Sequence, residues 1–190
     1  MFTSTVSVRR ALVVGGAIFL VQAIALYFFG QPSICECGYV KVWEGVVRSA
    51  GNSQHLFDWY TPSHVIHGLI FYGIFWYFFP KMSVWWRIAL SIGLESAWEI
   101  TENTPMVINH YRQQALAQGY IGDSILNSIM DTLAMVGGFL LARCIPVWVA
   151  VAVALALELY VGYMIRDNLT LNVLGMFYVF PWVTQWQSGG

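Results

Sequence analysis

Charge is scarce in this sequence. Nine Lys and Arg and ten Asp and Glu make up only 10% of its 190 residues, against about 25% in an ordinary soluble domain. Hydrophobic residues make up 58%, and mean hydropathy is +0.61. A conventional water-soluble surface is excluded, and an integral membrane protein is predicted. The basic residues form no cluster and the formal net charge is −1, so a nucleic-acid footprint and a polybasic lipid-surface patch are excluded too. Three cysteines are too few for a disulfide-rich scaffold. No internal repeat or low-complexity tract divides the chain, which reads as one polytopic domain over residues 1–190. Aromatic residues, by contrast, are plentiful: 16%, with nine Trp, as suits interfacial belts.

Five apolar stretches predict an all-α bundle of about five transmembrane helices, over residues 11–29, 62–79, 84–103, 123–143 and 145–165. The first is longer than a signal-peptide core, lacks a small-residue cleavage pattern and is read as a retained span. The second opens at Thr61-Pro62, with Thr expected as N-cap and Pro at the first helical position. Residues 31–60 are expected to form a loop with a short surface helix over 40–48, and 104–119 a second loop with a short helix. The last apolar run, VLGMFYVFPW, is shorter than the roughly 20 residues needed to cross. It predicts an interfacial or re-entrant C-terminal helix. Arg9, Arg10, Lys81, Arg87 and Arg143 fall on short segments of one side, and Lys41, Arg48, Arg112 and Arg166 on longer ones of the other. This density difference predicts a cytoplasmic N-terminus.

GLESAWEITEN breaks the third stretch with Glu95, Glu99 and Glu102. At 100° per residue the three share one helix face. A carboxylate at membrane depth costs a few kcal/mol, so such groups face a bundle interior or a wet cavity. With the N-terminus inside, His64 and His67, the glutamates, Asp123 to Asp131, and Arg166-Asp167 all fall in the outer half of the bilayer. His64 and His67 are three residues apart and point into one site. Together with carboxylates they are ligand types for zinc, iron or manganese, and His64, His67 and Glu99 are the candidate metal ligands. Glu95, Glu99, Glu102, Asp123 and Asp131 are candidate acids and bases. Asn127, Ser124, Trp98, Tyr72, Arg166 and Asp167 are expected in the pocket around them, with the first loop and the tail lidding it. Blander readings stand beside these: Asp123 as a helix cap, Glu102 as a solvated interfacial group, Glu158 as a lone acid. Cys35-Glu36-Cys37 reads as loop cysteines, paired or free, too closely spaced for a complete metal site. Neither HExxH nor the ExxH of di-iron bundles is present.

The succession ICECGYVKVW, NSQHLFDWYTPSHVIHG, ESAWEITEN, GDSILNSIMDT and IRDNLTLN resembles an uncharacterised family of bacterial multi-pass inner-membrane proteins of unknown function. The resemblance implies a bacterial cell-membrane location and no activity. GDSILNSIMDTLAMVGGFLLAR is similar to the Asp-x-x-x-Asn helix of VanZ-like membrane proteins. Two functions are expected from the residues: a membrane-embedded enzyme, metal-dependent or acid/base, acting on a lipid or lipid-linked substrate, or a transporter or assembly partner of a membrane complex.

Overall fold

The computed structural model describes residues 5–189. Its helices are α1 (Thr5–Phe28), α2 (Thr61–Phe78), α3 (Val84–Glu102), α4 (Pro105–Tyr111), α5 (Ile125–Cys144), α6 (Val147–Ile165), α7 (Leu169–Phe177) and α8 (Pro181–Gln187). The only strands among the described residues are two-residue pieces, Trp43–Glu44 and Phe57–Asp58, paired in parallel. The fold is therefore all-helical. Three helices, Ser7–Phe28 within α1, α5 and α6, are long and apolar enough to cross a membrane. α2 and α3 are of similar length, but two histidines in the one and four charged groups in the other set them apart.

The ends of the helices follow local chemistry. Ser83 and Thr104 cap α3 and α4, each hydroxyl accepting the N–H three residues on, from Trp86 and Val107. Ser124 does the same for α5 through Asn127 N–H, so Asp123 is not that helix's cap. Thr61 is not a cap either. The residue before α2 is Tyr60, without a side-chain cap bond, while the Thr61 hydroxyl accepts from Asp58 N–H and donates to Asp131 Oδ1 at 3.0 Å. No helix forms over residues 40–48. The segment instead runs extended to pair with Phe57–Asp58, because Glu44 turns its carboxylate inward to accept from Val46 N–H and Lys41 Nζ. The tail makes two short helices, divided at residues 178–180. Glu158 is not alone: its carboxylate accepts from the N–H groups of Leu169 and Thr170 and from the Thr170 hydroxyl, satisfying the free donors at the start of α7.

α2 and α5 make the closest pairing, α1 lies along α3, and α6 packs on α2. Met135 and Phe139 of α5 are fully buried in the core. Gly68 sits against the backbone of Met135 to Phe139, and Gly138 against the backbone of Val65. A Cβ at either would collide with main chain, which has no flexible end to move aside. The helix approach thus rests on two small residues. Gly68→Ala or Gly138→Ala should lower stability in detergent by roughly 1–3 kcal/mol or more, seen as an earlier thermal transition by circular dichroism. Gly73→Ala, where a Cβ meets nothing within 4 Å, should leave it unchanged or raise it.

Candidate functional site

The site forms where the N-terminal half of α2, the C-terminal half of α3 and the N-terminal half of α5 meet. Glu95, with 0% of its surface exposed, is its centre. His64 Nδ1 lies 2.6 Å from Glu95 Oε1, and His67 Nδ1 lies 3.0 Å from both carboxylate oxygens. The two imidazoles sit edge to face. Glu99, one turn on, brings Oε1 to 3.3 Å from His64 Nδ1. That oxygen is buried and takes no hydrogen bond, whereas Glu99 Oε2 accepts from the Ser128 hydroxyl at 2.7 Å. On the other edge of His64, Nε2 faces Asp131 Oδ2 at 3.9 Å. His64, His67 and Glu95 offer ligand atoms that all lie within 4.8 Å of one another, the spread of a single metal site.

Beside this cluster is a cavity of about 400 Å³. His64, His67, Trp98, Glu102, Asp123, Asp131 and Asp167 line it. Glu95 and Glu99 stand behind the histidines and do not. Of the other residues expected in the pocket, Ser124 caps α5 and Asn127 donates to the His55 carbonyl at 2.9 Å. Tyr72 packs edge-on against Phe139, and Arg166 donates to the Trp186 carbonyl. None of these four lines the cavity. Both the first loop, through residues 47–50 and 52–53, and the tail, through Leu169 and Asn172, form part of its wall.

Sequence reasoning missed the aromatic hydroxyls. Tyr60, Tyr111 and Tyr120 all line the cavity, and Tyr120 donates to Asp123 Oδ1 at 2.9 Å. Asn103 Nδ2 donates to the other Asp123 oxygen at 2.7 Å, and Asn103 Oδ1 accepts from Asp123 N–H in return. Burial pushes the Asp123 carboxyl up to about 6 against these donors. Asp167 is pushed up to about 7 by burial, opposed by Asn168 N–H and the Tyr60 hydroxyl. The network also reaches α1. Gln22, wholly buried, donates to Ser128 and accepts from Ser96 and Thr132. Its signal is legible as the lone strongly polar residue in the first apolar stretch. Tyrosines in loops carry no such signal, because an amphipathic ring suits a membrane interface equally well.

A family model described as a protein of unknown function (DUF2585) matches residues 26–189. Over 173 residues the chain is 56% identical to a UPF0314 protein of Rhizobium meliloti (strain 1021), covering 90% of this chain and 87% of the relative. It is 48% identical over 182 residues to a UPF0314 protein of Sphingopyxis alaskensis, covering 96% and 97%, and 46% identical to one of Paracoccus denitrificans, covering 90% and 89%. No solved structure matches.

Asp167 sets a pH dependence. Its carboxyl holds a proton more tightly in the folded chain than in the unfolded one, so folding takes up a proton between about pH 4 and 7. Stability therefore falls as pH rises through that window, by up to about 1.4 kcal/mol for each pH step of one. Asp167→Asn should raise the thermal midpoint at pH 8 and leave it little changed at pH 4, measured on detergent-purified protein.

Proposed function

Since the chain belongs to the DUF2585 family of proteins of unknown function, the family supplies no reaction, and we propose from the site itself a metal-dependent, membrane-embedded enzyme acting on a lipid or lipid-linked substrate. One observation carries the reading: His64 and His67 of α2 and Glu95 of α3 bring ligand atoms within 4.8 Å of one another, and beside them Glu99 Oε1 is buried with no hydrogen bond. Glu99 Oε1 lies 3.3 Å from His64 Nδ1, at the edge of that group. An ion there satisfies the orphaned oxygen and separates the carboxylates electrostatically. His64, His67, Glu95 and Glu99 would hold it, and zinc, iron or manganese fits this nitrogen and oxygen set.

A bound ion supplies Lewis acidity beside the cavity. Asp131, Glu102 and Asp123 line that cavity and act as proton donors and acceptors toward a bound substrate. Asp131 is held by the Thr61 hydroxyl and Asp123 by Asn103 and Tyr120, so two of the three are fixed in orientation by neutral donors. Trp98 and Leu169 give the wall apolar surface for an acyl or isoprenoid chain, while Asn52, Gln118 and Asn172 offer hydrogen bonds to a polar head.

In this reading α2 and α3 cross the membrane as well, giving five spans. Their charged groups Arg87, Glu95 and Glu99 are buried inward, and Ile70, Ile74, Phe78, Leu90 and Leu94 are exposed outward, as lipid contact requires. The distribution of basic residues favours a cytoplasmic N-terminus in a bacterial inner membrane, with the cavity in the outer half. A transport reading needs polar groups continuing inward. Below Gln22 the buried faces carry Ile92, Met135, Phe139 and Ala142, and Ser91 and Arg87 bond to backbone carbonyls nearby. A blind pocket suits an enzyme better than a carrier.

Elemental analysis of protein purified in detergent without chelator should find about one zinc, iron or manganese per chain, and none in a His64→Ala/His67→Ala variant that keeps its helical circular dichroism. Replacing a residue that only orients a ligand costs about 10–100-fold in metal affinity, and Glu99→Gln should cost at least as much. A folded parent that takes up no metal even when it is supplied overturns the proposal.

A further inference from the structure

Cys35 and Cys37 are joined in a disulfide that lies outside the cavity, on the first loop. With one residue between them the bond closes a minimal loop, and the chain entropy a disulfide removes from the unfolded state grows with loop length. This one is therefore a poor staple. Its sulfurs are also unequal: Cys35 is buried at 4% exposure and Cys37 is exposed. Attack from outside can reach Cys37 and leaves Cys35 as the leaving group. Cys37 N–H donates to Cys35 Sγ at 3.2 Å, a contact that stabilises negative charge on that sulfur. His55, 1% exposed, places a ring nitrogen within 4.8 Å of both sulfurs. Its Nδ1 accepts Lys41 N–H at 3.2 Å, which puts the ring proton on Nε2, a buried nitrogen with no hydrogen-bond partner. The Tyr39 ring stacks on the imidazole.

We propose that Cys35–Cys37, with His55 beside it, is a thiol–disulfide exchange site for dithiols. A thiolate of the dithiol attacks Cys37 Sγ and forms a mixed disulfide. The Cys35–Cys37 bond breaks, and its electron pair leaves on the buried Cys35 Sγ, which takes up a proton by way of the neighbouring His55 imidazole, replaced there from solvent. The second thiolate of the dithiol then attacks its own partner sulfur and releases Cys37 as a thiolate, protonated in turn. The chain gains two electrons and two protons, and the dithiol becomes a disulfide. The rate of such exchange rises as the leaving thiol becomes more acidic, so the folded loop should react faster than the same two cysteines in a denatured chain. A buried staple would do the opposite. The site is independent of the metal reading above.

The test uses full-length protein in detergent, with the exposed free Cys144 changed to Ser so that only the pair reports. Reduction by dithiothreitol is followed by mass-tagging of free thiols, in folded protein and in protein denatured with sodium dodecyl sulfate. Folded protein should react at least about tenfold faster, His55→Ala should lose most of that advantage, and Cys37→Ser should leave a Cys35 thiol that tags far more slowly than Cys37 in Cys35→Ser. A parallel arm with a Cys-x-x-Cys protein dithiol tells whether macromolecular dithiols also have access. Reduction no faster in the folded chain than in the denatured one overturns the proposal. So does purification of the two cysteines as thiols holding a metal ion.

Discussion

A carboxylate with no access to water must be matched by donors from its neighbours, and Glu95 finds both of its donors on α2. An ionised group left alone in low dielectric costs several kcal/mol. The pairing of Glu95 with His64 and His67 therefore fixes α2 against α3 in one rotational register: a turn of either helix by one residue, 100°, would strand the carboxylate. The other acids fall into place from that register. Glu99, one turn along α3, meets the same ring nitrogen of His64, and Asp131 reaches the remaining ring nitrogen from α5.

That third approach depends on what is missing from the helices. Gly68 and Gly138 let the backbones of α2 and α5 touch, and only at that separation does Thr61 reach Asp131. α1 joins through Gln22, whose amide is shared among Ser96, Ser128 and Thr132. Interhelical hydrogen bonds within membranes average about 0.6 kcal/mol, so this network adds little stability for its size. Its effect is specificity, since an amide with several partners on two helices accepts one arrangement of them.

The helical stretches are legible in the sequence because their apolar runs are long and bounded by Pro, Ser and Asn. Glu95, Glu99, Asp131 and the two histidines are legible because a polar group in such a run must face inward. Residues 40–48 mislead because VKVWEGVVR has the composition of a surface helix, while its structure is set by a buried Glu44 bonded to its own loop. Tyr72 misleads because an aromatic on the right helix says nothing of which neighbour it meets. Asp123 has a cap's position at a helix start, yet Ser124, one residue later, has the geometry. That frees the aspartate for Asn103, the residue that ends α3. A contact between the end of one helix and the start of another, 20 residues apart, leaves no periodic trace in sequence.

The placement of the polar groups along the helices supports the proposed kind of site. On α2, α3 and α5 alike, titratable side chains crowd the half nearest the first loop, and that loop is tied down over them: Gln54 donates to the Gly122 carbonyl, Ser124 N–H to the Ser53 carbonyl, and Asn127 to the His55 carbonyl. The opposite half is closed by Ile92, Met135 and Phe139. A polar chamber that opens at one end and stops at an apolar floor gives an ion or proton no second exit. Under the function proposed above, a lipid-borne group would enter from the open end, meet fixed carboxylates and imidazoles away from bulk water, and leave by the way it came. Low dielectric strengthens every charge interaction within such a chamber, which is the advantage the proposed chemistry would gain from being placed there.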